Sequence, residues 1–232
     1  SKEAALKEQC SLSEKLSKDV DKELAGILAR SKAAMTEKED LGKTMVQSGE
    51  ATAQDLESIL SELFNQDYYV VDGVTTLRTY LVELDGLTRT YIAEHAPEDL
   101  GAVEKKYTKL VKKFKSRLRR VKSRLKNKED KEAYEKIKQD VDAIQKNVMS
   151  ETGAFHAHQD ILNIMSQVRD QRTAMNEAAQ AFRLSLKAVC SASSQLINES
   201  ETLTMRTVGQ ARSNISALVI IAIIIGVATG FF

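Results

Sequence analysis

A single proline, Pro97, stands in 232 residues, accompanied by only ten glycines. Proline and glycine are the residues that interrupt helices, so a chain this poor in them is bound to fold into long ones. Strand formers never fall into clean period-two runs outside the apolar C-terminus. The expected fold class is all-α. With 42% hydrophobic and 29% charged residues, the chain has material for one or two packed helical units.

The apolar stripes place the helices. Leu6, Leu12, Leu16, Val20, Leu24, Ile27, Leu28, Met35, Leu41 and Met45 recur at three- and four-residue steps, as one face of a bundle helix requires. Ser48-Gly49-Glu50 is the first plausible break, although the stripe nearly continues to Leu56, Ile59, Leu60 and Leu63. A second stripe runs Phe64, Val71, Val74, Leu77, Leu81, Leu84, Leu87 and Tyr91, and ends at His95-Ala96-Pro97. Pro97, Glu98 and Asp99 suit a first helical turn, where a missing donor is harmless and acids meet the positive end of the helix dipole. The helix they open carries Val103, Tyr107, Leu110, Phe114, Leu118, Val121 and Leu125. The register then slips near Asn127 and Asp130, either a candidate N-cap, and resumes on Tyr134, Ile137, Val141, Ile144 and Val148. After Ser150 to Gly153, the stripe of Phe155, Ile161, Leu162, Met165, Val168, Met175, Ala179, Phe182, Leu186, Val189 and Leu196 runs on with only Gly209 interrupting it. From Thr152 to Asn214 such a helix spans roughly 95 Å.

Residues 215–232, ISALVIIAIIIGVATGFF, hold no charge. A bilayer core of about 30 Å takes roughly 20 such residues in a helix, so this segment is expected to cross a membrane as the end of the preceding helix. Arg206 and Arg212 precede it; taken alone they place the preceding residues in the cytoplasm, but one flank does not orient a span. The chain opens on Ser1 and stops within the apolar run, which implies a segment of a longer protein. If a membrane segment also precedes Ser1, the chain crosses the bundle height an even number of times. Four long helices do this, as does a six-helix path with a short hairpin at each level.

Chemistry-bearing patterns are few. The formal charge is +1, from 34 basic and 33 acidic residues, giving no reason to expect nucleic acid. The basic run KKFKSRLRRVKSRLKNK reads as a solvated helix face partly paired with the acids around 129–142, and with its one aromatic residue, Phe114, in the apolar stripe it has no aromatic interleaving for base stacking. His156 and His158, two apart, point to different faces of a helix, and no metal or cofactor is expected. No catalytic triad, phosphate loop or HExxH motif occurs, and no enzymatic activity is expected. Cys10 and Cys190 read as two free thiols, with a single bridge as the alternative. Arg78, Arg89, Arg169, Arg172 and Arg183 lie beside the apolar stripes, where facing helices build ligand sites and guanidinium groups grip carboxylates; the competing reading is pairing with glutamates at the stripe edge.

Three stretches carry a resemblance. The junction MRTVGQARSNISALVIIAIIIGVATGFF, the stretch LDGLTRTYIAE with the hairpin after it, and AYEKIKQDVDAIQKN together resemble the extracytoplasmic sensor of bacterial chemoreceptors, the methyl-accepting chemotaxis proteins. The length and alternation of long and short helices are most similar to the helical bimodular class, an elongated antiparallel assembly of two stacked four-helix bundles. The resemblance implies a ligand-binding sensor over 1–214 and a transmembrane helix over 215–232. It also implies a periplasmic or extracellular sensor at the inner membrane, a homodimer, and a small carboxylate held between helices. Arg183 with Asn176 and Gln180 is the candidate set for a membrane-near site, and Arg89 with Tyr91 and Arg169 for a remote one. A tail-anchored tether without a ligand, or the sensor of a membrane histidine kinase, would share the same helical pattern.

Overall fold

The computed structural model describes the backbone of residues 2–49 and 51–230, with side chains up to residue 225. The last two residues of the expected membrane segment lie outside the described residues. The helices are α1 (Lys2–Ser48), α2 (Ala53–Glu62), α3 (Tyr68–Ala93), α4 (Pro97–Lys122), α5 (Lys128–Met149) and α6 (Ala154–Gly230), with a π-turn at Leu63–Asp67 joining α2 to α3. No strand occurs among the described residues. The chain divides into two compact units, Ser1–Ser166 and Gln167–Phe232.

In the first unit α1, α3, α4 and α5 form a four-helix bundle. α1 packs on α3 and α5, and α4 packs on the same two helices. Connections of three to five residues leave consecutive helices antiparallel. The core is the set of stripes read along the chain: Val20, Leu24 and Ile27 from α1, Val74, Leu77 and Leu81 from α3, Tyr107, Phe114 and Val121 from α4, and Ile137, Val141 and Val148 from α5. At Gly73 α3 lies so close to α4 that a Cβ would sit 2.5 Å from Val121 Cγ2.

Each turn has a local cause. α1 stops where Gly49 turns to φ +72°, a left-handed conformation that glycine adopts without a Cβ clash. Thr52 then caps α2 in a reciprocal box, its Oγ1 accepting from Asp55 N at 3.1 Å while Asp55 Oδ2 accepts from Thr52 N at 3.2 Å. The Glu94 carboxylate gathers the His95 and Ala96 amides before Pro97 starts α4. Asn127 caps α5 by accepting from Asp130 N at 2.6 Å. Gly153 lies against backbone atoms of Asn147 and Val148, where any Cβ would clash at 2.8–2.9 Å.

α6 begins inside this unit. Ala154, Phe155, His158 and Leu162 are buried, and His158 Nε2 donates to the Glu94 carbonyl at 2.9 Å. In the second unit, from Gln167, the described side chains are exposed, including Val168, Met175, Phe182 and Val189. The helix is long and apolar enough at its end to cross a membrane.

Several positions depart from the stripes. Phe64 was expected on the inner face and is 65% exposed. The π-turn adds a residue to the helical cycle there, so the register that runs from α2 is rotated before α3 begins. Leu12 and Leu41 are also exposed, while Ser13 takes the buried register position between Leu6 and Val20.

Candidate functional site

That serine opens the bundle. Leu6, Ser13, Val20 and Ile27 repeat every seven residues along α1, and all four are buried. At the serine the packing lacks a large side chain, and a cavity of about 320 Å³ results. α1 contributes Cys10, Ser13, Glu14 and Ser17 to its walls, α3 contributes Asp85, Thr88 and Arg89, α4 contributes Tyr107, and α5 contributes Ile144 and Val148.

Its depth is polar and unsatisfied. Tyr107 is fully buried, and its hydroxyl has no hydrogen-bond partner. The nearby Thr88 hydroxyl donates to the Leu84 carbonyl at 2.9 Å and lies close enough to offset part of the rise in the Tyr107 pKa, without forming a well-made hydrogen bond to it. Burial holds the Tyr107 phenol well above its ordinary pKa, so it remains a neutral donor. Ser13 Oγ is likewise buried without a partner. A buried hydroxyl left unpaired costs about 1–3 kcal/mol, and two facing one cavity are satisfied together by a polar occupant.

The mouth is charged. Arg89 Nη2 pairs with Asp85 Oδ2 at 2.9 Å, and Glu14 pairs with Lys18 at 3.0 Å. The Lys18 hydrogen bond holds the Glu14 carboxyl below its usual value, with Arg89 adding to the field. The Cys10 thiol is half-buried, and burial raises its pKa. A shallower opening of about 760 Å³ shares Cys10, Glu14, Arg89 and Ile92 and extends outward past Leu6 and Lys7.

The cavity touches α6 through one aromatic contact. Tyr107 meets Phe155 edge-on, with ring centroids 5.3 Å apart at 68°. Phe155 in turn stacks on Tyr91 at 3.7 Å, nearly parallel at 10°, and Tyr91 meets His158 edge-on at 5.9 Å.

Of the residues singled out in the sequence, Arg89 lines this cavity. Tyr91 does not join it. Two positions along α3 turn it into the core, where it is 2% exposed and stacked on Phe155. Arg78 is held by Asp21 through two bonds of 2.6 and 3.0 Å. Arg169, Asn176, Gln180 and Arg183 belong to the second unit, each exposed on α6. The last three share a helix face at steps of four and three. Ser13 falls outside a stripe of apolar residues and Tyr107 sits within one, where it reads as core; the available signal is a serine in an apolar heptad position. Both cysteines are free thiols.

No family model, curated protein or solved structure matches the chain.

Proposed function

We propose that the chain is a membrane-anchored, extracytoplasmic sensor that takes a small ligand into the cavity between α1 and α3 and signals through α6, without catalysis. One observation carries this reading. Tyr107, whose unpaired hydroxyl faces the cavity, packs its ring on Phe155 in the first turn of α6. A ligand that draws in the Tyr107 hydroxyl changes the seat of Phe155, and packed helices respond to such changes by small discrete shifts. α6 has no helical break up to Gly230, so it is suited to pass a shift into its apolar end.

The expected ligand is a small organic acid, its carboxylate accepting from Tyr107 or Ser13 or from Arg89 at the mouth. Chemotaxis signalling from the inner membrane follows from the resemblance and stands as part of the proposal. So does the homodimer. It is supported by a face of α6 on which Val168, Met175, Phe182, Val189, Leu196 and Leu203 recur every seven residues, all exposed.

Calorimetry of the full chain in nonionic detergent against a panel of small organic acids tests the reading. Heat for at least one acid is expected, reduced at least about tenfold in affinity by Tyr107→Phe, the loss of one hydrogen bond to a charged group. Folded protein that gives no heat with any of them would count heavily against a ligand.

A further inference from the structure

α4 has two unlike faces. Toward the core it sends Leu100, Tyr107, Leu110, Val111, Phe114, Leu118 and Val121. Away from the core stand Lys105, Lys106, Lys109, Lys112, Lys113, Arg119 and Arg120, all exposed. At 100° per residue these seven fall within an arc of about 140°, and from Lys105 to Arg120 they extend roughly 22 Å along the helix axis. No acid occurs between Glu104 and Glu129.

The expected pairing with α5 accounts for only part of the basic run. Lys115 reaches Asp142, Lys122 reaches Glu135, and Lys128 reaches Glu132. Arg117 pairs with Asp72 and Lys126 with Glu62, while Arg124 lies over the Tyr69 ring. The seven outward cations have no ion-pair partner among the described residues. They form one unneutralised strip on a chain whose net charge is only +1. Placing like charges side by side is unfavourable, and it is relieved by a partner carrying the opposite charge.

We propose that this strip is a docking surface for an anionic polysaccharide. The cations are mostly lysines, compact point charges on flexible stems, which suit a partner of repeating charge better than one planar group. Ser116 is the residue that stands among them on this face. On one flank a groove of about 470 Å³ sets Lys106, Lys109 and Lys113 against a single acid, Glu83, over a floor of Gly86, Leu87, Thr90 and Leu110. On the other, Lys105, Lys109 and Lys112 border a groove with Gly101, Thr108 and one acid, Glu104. A Cβ at Gly86 or Gly101 would meet nothing within 4 Å, so both grooves are open to a hydroxyl-rich chain. α4 itself exposes no large apolar or aromatic side chain to centre a protein interface, and Leu110 in the groove floor is buried. An interfacial lipid-binding helix needs apolar residues beside its cations, and those of α4 are locked in the core. Duplex DNA turns its phosphates away from a straight row, and the face has no free aromatic ring for a single strand. A flexible sugar chain can follow the whole strip.

The test measures binding of a labelled heparin oligosaccharide to the full chain in nonionic detergent, with polygalacturonate, duplex DNA and polyglutamate as competitors. Binding should fall on the order of 10³-fold between roughly 50 and 200 mM salt, as expected when about seven cations release counterions. Lys105→Glu, Lys109→Glu and Lys112→Glu together should weaken it on the order of 100-fold. Lys15→Glu, Lys32→Glu and Lys138→Glu, an equal charge change elsewhere on the bundle, should cost less than a tenth of that. Equal loss in both triple variants, or none in the α4 variant, overturns the proposal. So does duplex DNA or polyglutamate displacing heparin at lower concentration than polygalacturonate does.

Discussion

Tyr107 and Ser13 set opposing demands on stability and binding. Removing the unpaired hydroxyl in Tyr107→Phe leaves the ring on Phe155 and relieves an orphan donor. The unliganded protein should therefore change by no more than about 1 kcal/mol, and toward greater stability, in thermal unfolding followed by circular dichroism. Ser13→Leu restores the apolar heptad of α1 and occupies the end of the cavity that Ser13 lines. It should raise stability by about 0.5–2 kcal/mol while abolishing ligand heat. A variant that gains stability and loses binding distinguishes a functional void from a packing fault. Asp140 gives a pH signature. Its Oδ2 is buried without a hydrogen-bond partner, and burial raises its pKa, with Asp19 and Glu23 adding to the rise and Lys136 opposing it. An acid whose pKa is higher folded than unfolded favours folding when protonated, and that contribution is lost as pH rises through the folded value. Asp140→Asn should accordingly raise the melting temperature at pH 7 and leave it nearly unchanged at pH 3. An equal gain at both pH values would remove the ionisation from the explanation.

Among the elements, the closest helix approach is the most sensitive to bulk. Val121 is branched at Cβ and cannot swing away from a side chain at Gly73. Gly73→Val should destabilise the bundle by about 1–3 kcal/mol in denaturant titration, whereas the open Gly86, on the same helix, should tolerate alanine or gain slightly. The helices themselves were readable because their causes are local: Pro97, the Asn127 cap, Gly49 and Gly153 each act within a few residues. The π-turn was not, because one added residue in a helical cycle leaves Leu63 and Phe64 looking like a continued stripe. The cavity was half legible. Arg89 stood out as a charge beside a stripe, while Ser13 looked like background until the four-helix packing gave its position a meaning. The basic run reads as a solvated face partly paired with α5, and distance decides which part: α5 lies along one flank of α4 and reaches Lys115 and Lys122 but not the outward strip.

For the whole molecule, the exposed heptad of α6 bears on assembly. An apolar face repeating from Val168 to Leu203 has the spacing of a coiled-coil seam. Phe182→Glu with Val189→Glu should halve the mass of the protein component in sedimentation of the full chain, if two copies meet there. Retention of the dimer by that variant would move the contact elsewhere. The cluster of Tyr91, Phe155, Tyr107 and His158 has a practical consequence as well. The chain has no tryptophan and six tyrosines, two of them pinned in this cluster beside the first turn of α6. Ring packing of this kind fixes the chiral environment of a chromophore. Near-ultraviolet dichroism should therefore draw strongly on that small region, beside the contribution of the buried Tyr134, giving the protein a native optical gauge of the joint between its cavity and its longest helix.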